Sequence, residues 1–440
     1  MTDQVGLSNR RILRIAVPIV LANISVPLLG AVDTGVVGQM GAAAPIGAVG
    51  LGAIILTSIY WIFGFLRMGT TGLVALATGA GDLTESGAIL TRGVMIGLAA
   101  GAVMVAGQAL IMALAFRIAP ASAEVEALAR EYLAIRIWGA PATIALYAVT
   151  GWLIATERTR GVLVLQLWMN GLNIALDLWF VLGLGWGVQG VAVATLISEI
   201  TALGLGLWLC RAAFAGAQWR DWGRVFDRAR LLRMWQVNSD IMLRTIALQG
   251  AMTGFVFTSA GFGDVELAAN QILWQFLMIT AYALDGFAFA AEALVGQAVG
   301  ARAVAMMRAA SLRASLWALG GGVLMGLGFW GLGPVLIDLM AIDTDVRAAA
   351  RAYLPFVVVL SVLGVGAYML DGIFIGATGT REMRNTVVLA VAIYGLILWL
   401  AVPVWGNPAL WGALMVLNLL RGVFLAALYP SLERRVARGG

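Results

Sequence analysis

Twelve apolar stretches of roughly 20–30 residues, parted only by short polar breaks, constrain this chain more than any other feature. In hydrocarbon no water serves the peptide groups, so each stretch must satisfy its own backbone as a helix. Spans are expected at 12–38, 46–78, 90–115, 130–155, 161–183 and 187–212, then at 235–261, 267–299, 309–338, 348–377, 384–405 and 409–431. Breaks such as Gly81-Asp82-Leu83-Thr84-Glu85 and Glu157-Arg158-Thr159-Arg160 separate them. The chain is only 12 % charged with mean hydropathy +0.93, where soluble domains carry about 25 % charged residues. The expected fold class is an all-α integral membrane protein of about twelve transmembrane helices.

Arginine placement predicts the orientation. One set of loops holds Arg92, Arg158, Arg160, Arg211, Arg220, Arg224, Arg228, Arg230, Arg233, Arg302, Arg308, Arg313, Arg381 and Arg384. Both termini join it through Arg10, Arg11, Arg14, Arg434, Arg435 and Arg438. The opposite loops carry only Arg117, Arg130, Arg136, Arg347 and Arg351, mixed with acids. The first set and both termini are expected in the cytoplasm, with the polar start Met1–Asn9 leading into an uncleaved anchor helix. The pI near 9.8 then reflects orientation, and no nucleic-acid partner is needed. The Arg- and Ala-rich usage suggests a GC-rich bacterium, hence the inner membrane.

The halves repeat. Ala129-Arg130-Glu131-Tyr132-Leu133 matches Ala350-Arg351-Ala352-Tyr353-Leu354 at an offset of roughly 220 residues. The same register pairs Tyr147 with Tyr368, Gly151 with Gly372, Ile154 with Ile375, Thr159 with Thr380 and Arg160 with Arg381. Gly64-Phe65 falls against Gly286-Phe287 at nearly that offset. Two pseudo-symmetric six-helix bundles are expected, 1–213 and 234–440, a plan common among secondary transporters. Between them, 214–233 alternates Trp219, Trp222 and Phe226 with charged residues and reads as a cytoplasmic amphipathic helix on the membrane surface.

Intramembrane polar residues carry the chemistry. Asp33 lies late in the first span with no Arg inside that span, and a carboxylate at bilayer depth costs about 2.5–3.5 kcal/mol. Helix alternation puts Asp33, Asn173, Asp177, Thr195 and Tyr132 in the outer half of the membrane. Asn173 and Asp177 share one helix face. Two carboxylates, an amide oxygen and two hydroxyls at one level could chelate a small cation or share a proton, since neighbouring carboxyls cannot both ionise cheaply. The less favoured alternative is a set of separate interhelical hydrogen bonds. In the second half Asp240 and Arg244 share a face of the seventh span, with Asp285 and Glu292 in the eighth and Asp371 in the tenth. Arg67 and Arg421 are the other basic groups at that depth. Asp240, Arg244, Asp285, Asp371 and Arg67 could line or gate a solute cavity, or tie helices together. Glu199 has no obvious partner in sequence.

His is absent, so a proton relay must use carboxylates. The single Cys210 reads as apolar filler and excludes a cysteine metal cluster. No Walker loop, zinc spacing or Ser–His–Asp set occurs, which disfavours an enzyme and an ATP-driven pump.

Ala31-Val32-Asp33-Thr34-Gly35-Val36-Val37-Gly38 resembles the opening motif of the multidrug and toxic compound extrusion (MATE) family. Asn173-Ile174-Ala175-Leu176-Asp177 and Gly187-Val188-Gln189-Gly190-Val191-Ala192-Val193-Ala194-Thr195 resemble its fifth and sixth helices. Leu284-Asp285-Gly286-Phe287-Ala288-Phe289-Ala290-Ala291-Glu292 and Leu370-Asp371-Gly372-Ile373-Phe374-Ile375-Gly376-Ala377-Thr378 resemble its DinF-like branch. The resemblance implies a two-lobed antiporter, working without a cofactor and expected as a monomer among membrane lipids. It would export organic, often cationic, solutes or drugs in exchange for protons or sodium ions. It assigns Asp33 as the coupling carboxylate and Asn173, Asp177 and Thr195 as its partners, a possible sodium site, with Tyr132 alongside. Gly379 departs from the branch pattern, which has a basic residue there. The alternative is a lipid or lipid-linked saccharide flippase of the same superfamily, which would want a more basic cavity than Arg67, Arg244 and Arg421 provide.

Overall fold

A computed structural model of the chain describes residues 7–39, 43–215 and 217–438. The first six residues of the polar start and residue 216 of the linker lie outside them. The described residues are helical and contain no strand. In chain order the helices are α1 (Asn9–Gly38), α2 (Ala43–Ile62), α3 (Phe65–Gly79), α4 (Leu83–Ala106), α5 (Gln108–Ile118), α6 (Ala123–Arg136), α7 (Ala140–Ala155), α8 (Thr159–Asp177) and α9 (Gly187–Leu209). They continue as α10 (Trp222–Val225), α11 (Arg228–Ala260), α12 (Asp264–Gly300), α13 (Val304–Met340), α14 (Thr344–Gly376), α15 (Thr380–Trp405) and α16 (Asn407–Arg438). Eleven stretches among the described residues are long and apolar enough to cross a membrane. The expected first span is α1, a further helix of 30 residues.

The chain divides into two compact units. The N-terminal unit is Leu21–Thr78 with Asp82–Met234, and the C-terminal unit is Met1–Val20, Gly79–Gly81 and Trp235–Gly440. The boundary therefore falls inside α1, between Pro18 and Pro27, and not only at the linker. Within the C-terminal unit a Cβ on Gly286 of α12 would meet Ala16 O at 2.8 Å, so that glycine admits the start of α1. Arg11 Nη2 donates to Gln297 Oε1 at 3.0 Å, and Arg313 donates to Leu7 O.

Turn geometry shows the duplication at the level of the backbone. Left-handed φ angles occur at Gly81 (75°) and Arg302 (56°), at Glu157 (58°) and Thr378 (52°), and at Gly185 (70°) and Gly406 (60°). Each pair is 221 residues apart. Packing keeps the same register. A Cβ on Gly151 would lie 2.6 Å from Arg67 O, and one on Gly372 would lie 2.6 Å from Ala288 O, again 221 residues on. A left-handed conformation costs an L-residue about 1–2 kcal/mol, and asparagine tolerates it best. Thr378→Asn is accordingly expected to raise stability by about 1 kcal/mol. Thermal unfolding in detergent checks this, and an unshifted midpoint would show that the turn carries no strain.

The repeats differ in continuity. Three expected spans of the first half are broken: 46–78 between α2 and α3, 90–115 at Gly107 between α4 and α5, and 130–155 by a 3₁₀ turn at Ile137–Gly139. Pro141, which lacks an N–H, opens α7. Their counterparts α12, α13 and α14 run unbroken for 37, 37 and 33 residues.

Small residues set the helix approaches. Gly93, Gly97 and Gly101 form one stripe on α4. A Cβ on Gly93 would lie 2.7 Å from Ala148 Cβ, one on Gly97 would lie 2.6 Å from Ala145 Cα, and one on Gly101 would overlap Pro141. Gly322 on α13, the repeat mate of Gly101, likewise faces Ser361 O of α14 at 2.6 Å. The C-terminal unit adds an aromatic core, with Phe276 stacked on Phe329 at 4.9 Å and Phe255 edge-on to Trp411 at 5.1 Å.

The linker does not form the expected surface helix over 214–233. It comprises 3₁₀ turns at Arg211–Phe214 and Ala217–Arg220 and the single turn of α10, and α11 begins at Arg228. Ion pairs draw it onto α4. Arg92 Nε donates to Val225 O at 2.8 Å and Nη2 to Arg224 O at 2.6 Å, while Arg224 reaches Asp82 at 3.1 Å. Glu85 accepts from Arg92 at 2.8 Å and from Arg230. Two α4 residues seven apart, Glu85 and Arg92, thus satisfy backbone and side chains that a free helix would have left to water.

Candidate functional site

The N-terminal unit brings together the residues expected to act on the coupling ion. Asp33 projects from α1, Asn173 and Asp177 from α8, and Thr195 from α9. Asn173 and Asp177 are buried, at 1 % and 0 % exposure. Asn173 Nδ2 donates to Thr195 Oγ1 at 3.1 Å, and Thr195 in turn donates to Val191 O at 3.0 Å. The Asp33 and Asp177 carboxyls lie within hydrogen-bonding reach of each other. Among the described residues, Asp33 Oδ1, Asn173 Oδ1 and both Asp177 oxygens have no donor. Four such acceptors in a helix bundle are costly unless a proton or a cation is shared among them. Among the described residues no three carboxylate or thiolate side chains converge. A metal ion held here would therefore lean on the Asn173 amide and Thr195 hydroxyl oxygens as well.

Local sequence explains why α8 presents this face. Gln166, Asn170, Asn173 and Asp177 follow the i, i+4, i+7, i+11 pattern of a single stripe. Gln166 Nε2 donates to Asn170 Oδ1 at 3.0 Å, and Asn170 Nδ2 donates to Ser25 Oγ on α1 at 2.8 Å. Asn170 and Ser25 were not among the expected site residues, although the stripe was legible. Directly after Asp177 the helix widens into a π turn over Leu178–Gly183, a feature frequent at functional sites. Leu184 N then donates to Trp179 O at 2.9 Å, and Phe180 stacks on Trp186 at 4.9 Å. Gly185 and Gly187, with φ of 70° and 61°, supply the reversal that sets α9 beside α8.

Tyr132 is buried on α6, its ring against Gly52, where a Cβ would come within 2.9 Å of Cε1. Its hydroxyl lies within reach of Arg136, one turn along, and within electrostatic range of Asp33. Arg136 corrects the loop bookkeeping. It is not an outer-loop charge but a buried residue joined to Glu199 of α9 by two hydrogen bonds, Nη1 to Oε2 at 2.7 Å and Nη2 to Oε1 at 3.0 Å. Glu199 thereby gains the partner that the sequence left open. The pair adjoins the acidic site without supplying a donor to its four free oxygens.

The residues expected to line or gate a solute cavity separate into four groups. Arg244 of α11 and Arg421 of α16 both bind Asp371 of α14, with Arg421 Nη2 at 2.5 Å from Oδ2. Asp240 faces Arg384 and accepts from Thr380 at 3.1 Å, so it does not pair with Arg244 one turn away. Asp285 of α12 lies in the electrostatic neighbourhood of Tyr282 and Tyr368. Arg67 belongs to the N-terminal unit, near Tyr147. Gly379 has a local explanation, because a Cβ there would sit 2.9 Å from Phe374 Cδ1 and 3.4 Å from Arg435 Nη2. Arg435, ion-paired with Glu382 at 2.8 Å, already brings a guanidinium to that place. Cys210 is a free thiol buried at the end of α9, where it packs as a small apolar group. A network at one end of the C-terminal unit went unnoticed in sequence: Trp411 Nε1 and Asn407 Nδ2 donate to Asn270 Oδ1 at 2.9 and 3.1 Å, and Asn270 Nδ2 donates to Ser259 Oγ at 2.7 Å.

Comparison with known proteins agrees with this construction. The MatE family matches twice, over residues 18–179 and 241–402, the two copies of the repeat. The chain is 38 % identical over 432 residues to DNA damage-inducible protein F of Escherichia coli K12, covering 96 % of this chain and 92 % of that protein. It is 26 % identical over 465 residues to a probable multidrug resistance protein NorM of Synechococcus, covering 97 % and 95 %. The crystal structure of a mutant of the Vibrio cholerae MATE transporter VcmN superposes with a TM-score of 0.86 at 20 % identity, covering 97 % of each chain. The chain belongs to the MATE family: it is a multi-pass membrane transporter of small molecules, and not an enzyme.

Proposed function

We propose that this chain is a secondary active antiporter that exports organic solutes or drugs across a bacterial inner membrane in exchange for protons or sodium ions. The observation that carries the reading is the set of four acceptor oxygens on Asp33, Asn173 and Asp177 that lack a donor among the described residues. A group of this kind binds a cation far better than it tolerates emptiness, so its occupancy changes with the ion concentration on the side to which it opens. Asp33 takes up the ion from outside, with Asp177, Asn173 and Thr195 completing the site for sodium or Asp177 sharing the proton. Neutralisation removes carboxylate repulsion and lets α1 bend in the segment between Pro18 and Pro27, where the division between units falls. Bending collapses the solute site, solute leaves outward, and the ion leaves after reorientation. Ion and solute must prefer different states for this to couple.

Both termini lie in the cytoplasm in this scheme, the chain works as a monomer in contact with membrane lipids, and no cofactor enters. Multidrug resistance proteins among the relatives favour a drug-like solute over a lipid-linked saccharide. Arg244 and Asp371 face the solute path of the C-terminal unit, while Asp240 with Arg384 ties α11 to α15. Uptake of a fluorescent drug into inside-out vesicles under an imposed gradient, which reports export, tests the reading. Asp33→Asn keeps the shape and removes the charge, so gradient-dependent export should fall by about tenfold or more. Unchanged gradient-dependent export by that variant would refute the assignment.

A further inference from the structure

Asp371 takes two guanidiniums on one oxygen. Arg244 Nη2 and Arg421 Nη2 both donate to Oδ2, the latter at 2.5 Å, and Arg421 Nη1 also donates to Asn418 Oδ1 at 3.2 Å. All three charged residues are buried, at 8 % exposure for Arg244 and 5 % for Arg421 and Asp371. Among the described residues, Asp371 Oδ1 and the Nε groups of both arginines have no partner. A guanidinium binds a carboxylate best through two parallel bonds to its two oxygens. Here neither arginine does so. Asp371 thus carries both guanidinium contacts on one oxygen, and Asp285 is a second acid in the same neighbourhood.

Asp240 is engaged by Arg384 and Thr380. Asp285 lies on the α12 side with interactions of its own, and Tyr368 senses it together with the three cluster residues. One turn before Arg421 on α16, Leu417 and then Leu414 belong to the apolar core of the unit. Polar donors and an apolar wall therefore stand side by side.

We propose that Arg244 and Arg421 form a docking point for the anionic group of an amphiphilic organic solute, such as a carboxylate or sulfonate, and that Asp371 is the resident competitor holding the guanidiniums between ligands. The proposal deepens the export reading and rests on it for the solute's fate, but not for binding. A helix tie would want each arginine fully paired, whereas a ligand site keeps donors in reserve. The incoming anion takes the idle Nε–H groups and displaces the shared Oδ2 contact.

Equilibrium binding of radiolabelled octanoate to the purified chain in nanodiscs of neutral lipid tests this. Saturable binding is expected, with octyltrimethylammonium of the same chain length unable to compete. Arg421→Gln should weaken it by about tenfold or more, and Asp371→Asn should tighten it by about tenfold, because the competitor is gone. Absence of saturable octanoate binding to the wild-type protein would overturn the proposal without needing any variant to fold. So would unchanged affinity in a folded Arg421→Gln variant, weaker binding by a folded Asp371→Asn variant, or displacement of octanoate by phosphatidylglycerol, which would assign the cluster to a lipid headgroup. Gradient-driven drug export by the same purified protein in sealed liposomes separates the two readings. Export without octanoate binding sinks only this inference, and octanoate binding without any gradient-driven export sinks only the antiporter.

Discussion

Glu199→Ala is expected to cost about 3–5 kcal/mol of stability, because it leaves the Arg136 guanidinium buried and unpaired. Arg136 and Glu199 are each 7 % exposed and joined by two hydrogen bonds, so water cannot easily replace the lost carboxylate. Arg136→Ala should cost a similar amount by stranding Glu199. The double change Arg136→Met with Glu199→Leu removes both charges and keeps volume, and is expected to fall within about 1 kcal/mol of the wild type or above it. Thermal unfolding of the four proteins in one detergent checks the cycle. Additive losses in the double variant would show that the two side chains act separately. Because the pair adjoins Asp33 and Tyr132, the double variant also reports whether a neutral neighbour alters ion coupling without unfolding the unit.

Gly97→Leu is expected to prevent α4 and α7 from closing. The first added atom already lies 2.6 Å from the backbone of Ala145, and backbone cannot rotate aside as a side chain can. Overpacking of this kind commonly costs about 1–3 kcal/mol, and a leucine on a glycine stripe belongs at or beyond the upper end. Gly97→Ala should show the smaller loss within that range. A leucine at Gly50, where an added Cβ would meet nothing within 4 Å, serves as the control with little effect. Yield of monodisperse protein and its unfolding temperature provide the readout. Equal behaviour of the Gly97 and Gly50 variants would mean that the α4–α7 approach is not set by the stripe.

Apolar length was enough to locate the helices, because the bilayer leaves the backbone no other choice. It could not tell a broken span from a continuous one. Gly64-Phe65 and Gly286-Phe287 occupy similar repeat positions, yet the first lies at the α2–α3 break and the second inside α12. Asn173, Asp177 and Thr195 were legible because helix periodicity and alternating direction fix both face and depth. Arg136 was misread, since counting charges near span ends treats every arginine there as a loop residue. Its partner Glu199 lies 63 residues away on another helix, a distance that no local pattern spans. The amphipathic linker failed for the opposite reason. Its aromatic and charged alternation is real, but Arg92 and Glu85 on α4 hold its backbone and side chains through pairings that no local pattern announces.

The central claim is that the Asp33–Asp177 pair carries the ion that is exchanged for solute. Solute-driven ion flux measures it most directly: purified protein in liposomes, no imposed ion gradient, a drug gradient applied, and movement of protons or of sodium followed in separate runs. The wild-type protein is expected to move one of these ions against the drug, and Asp33→Asn and Asp177→Asn are each expected to abolish that flux while remaining folded. Ion flux undiminished in both variants would contradict the claim.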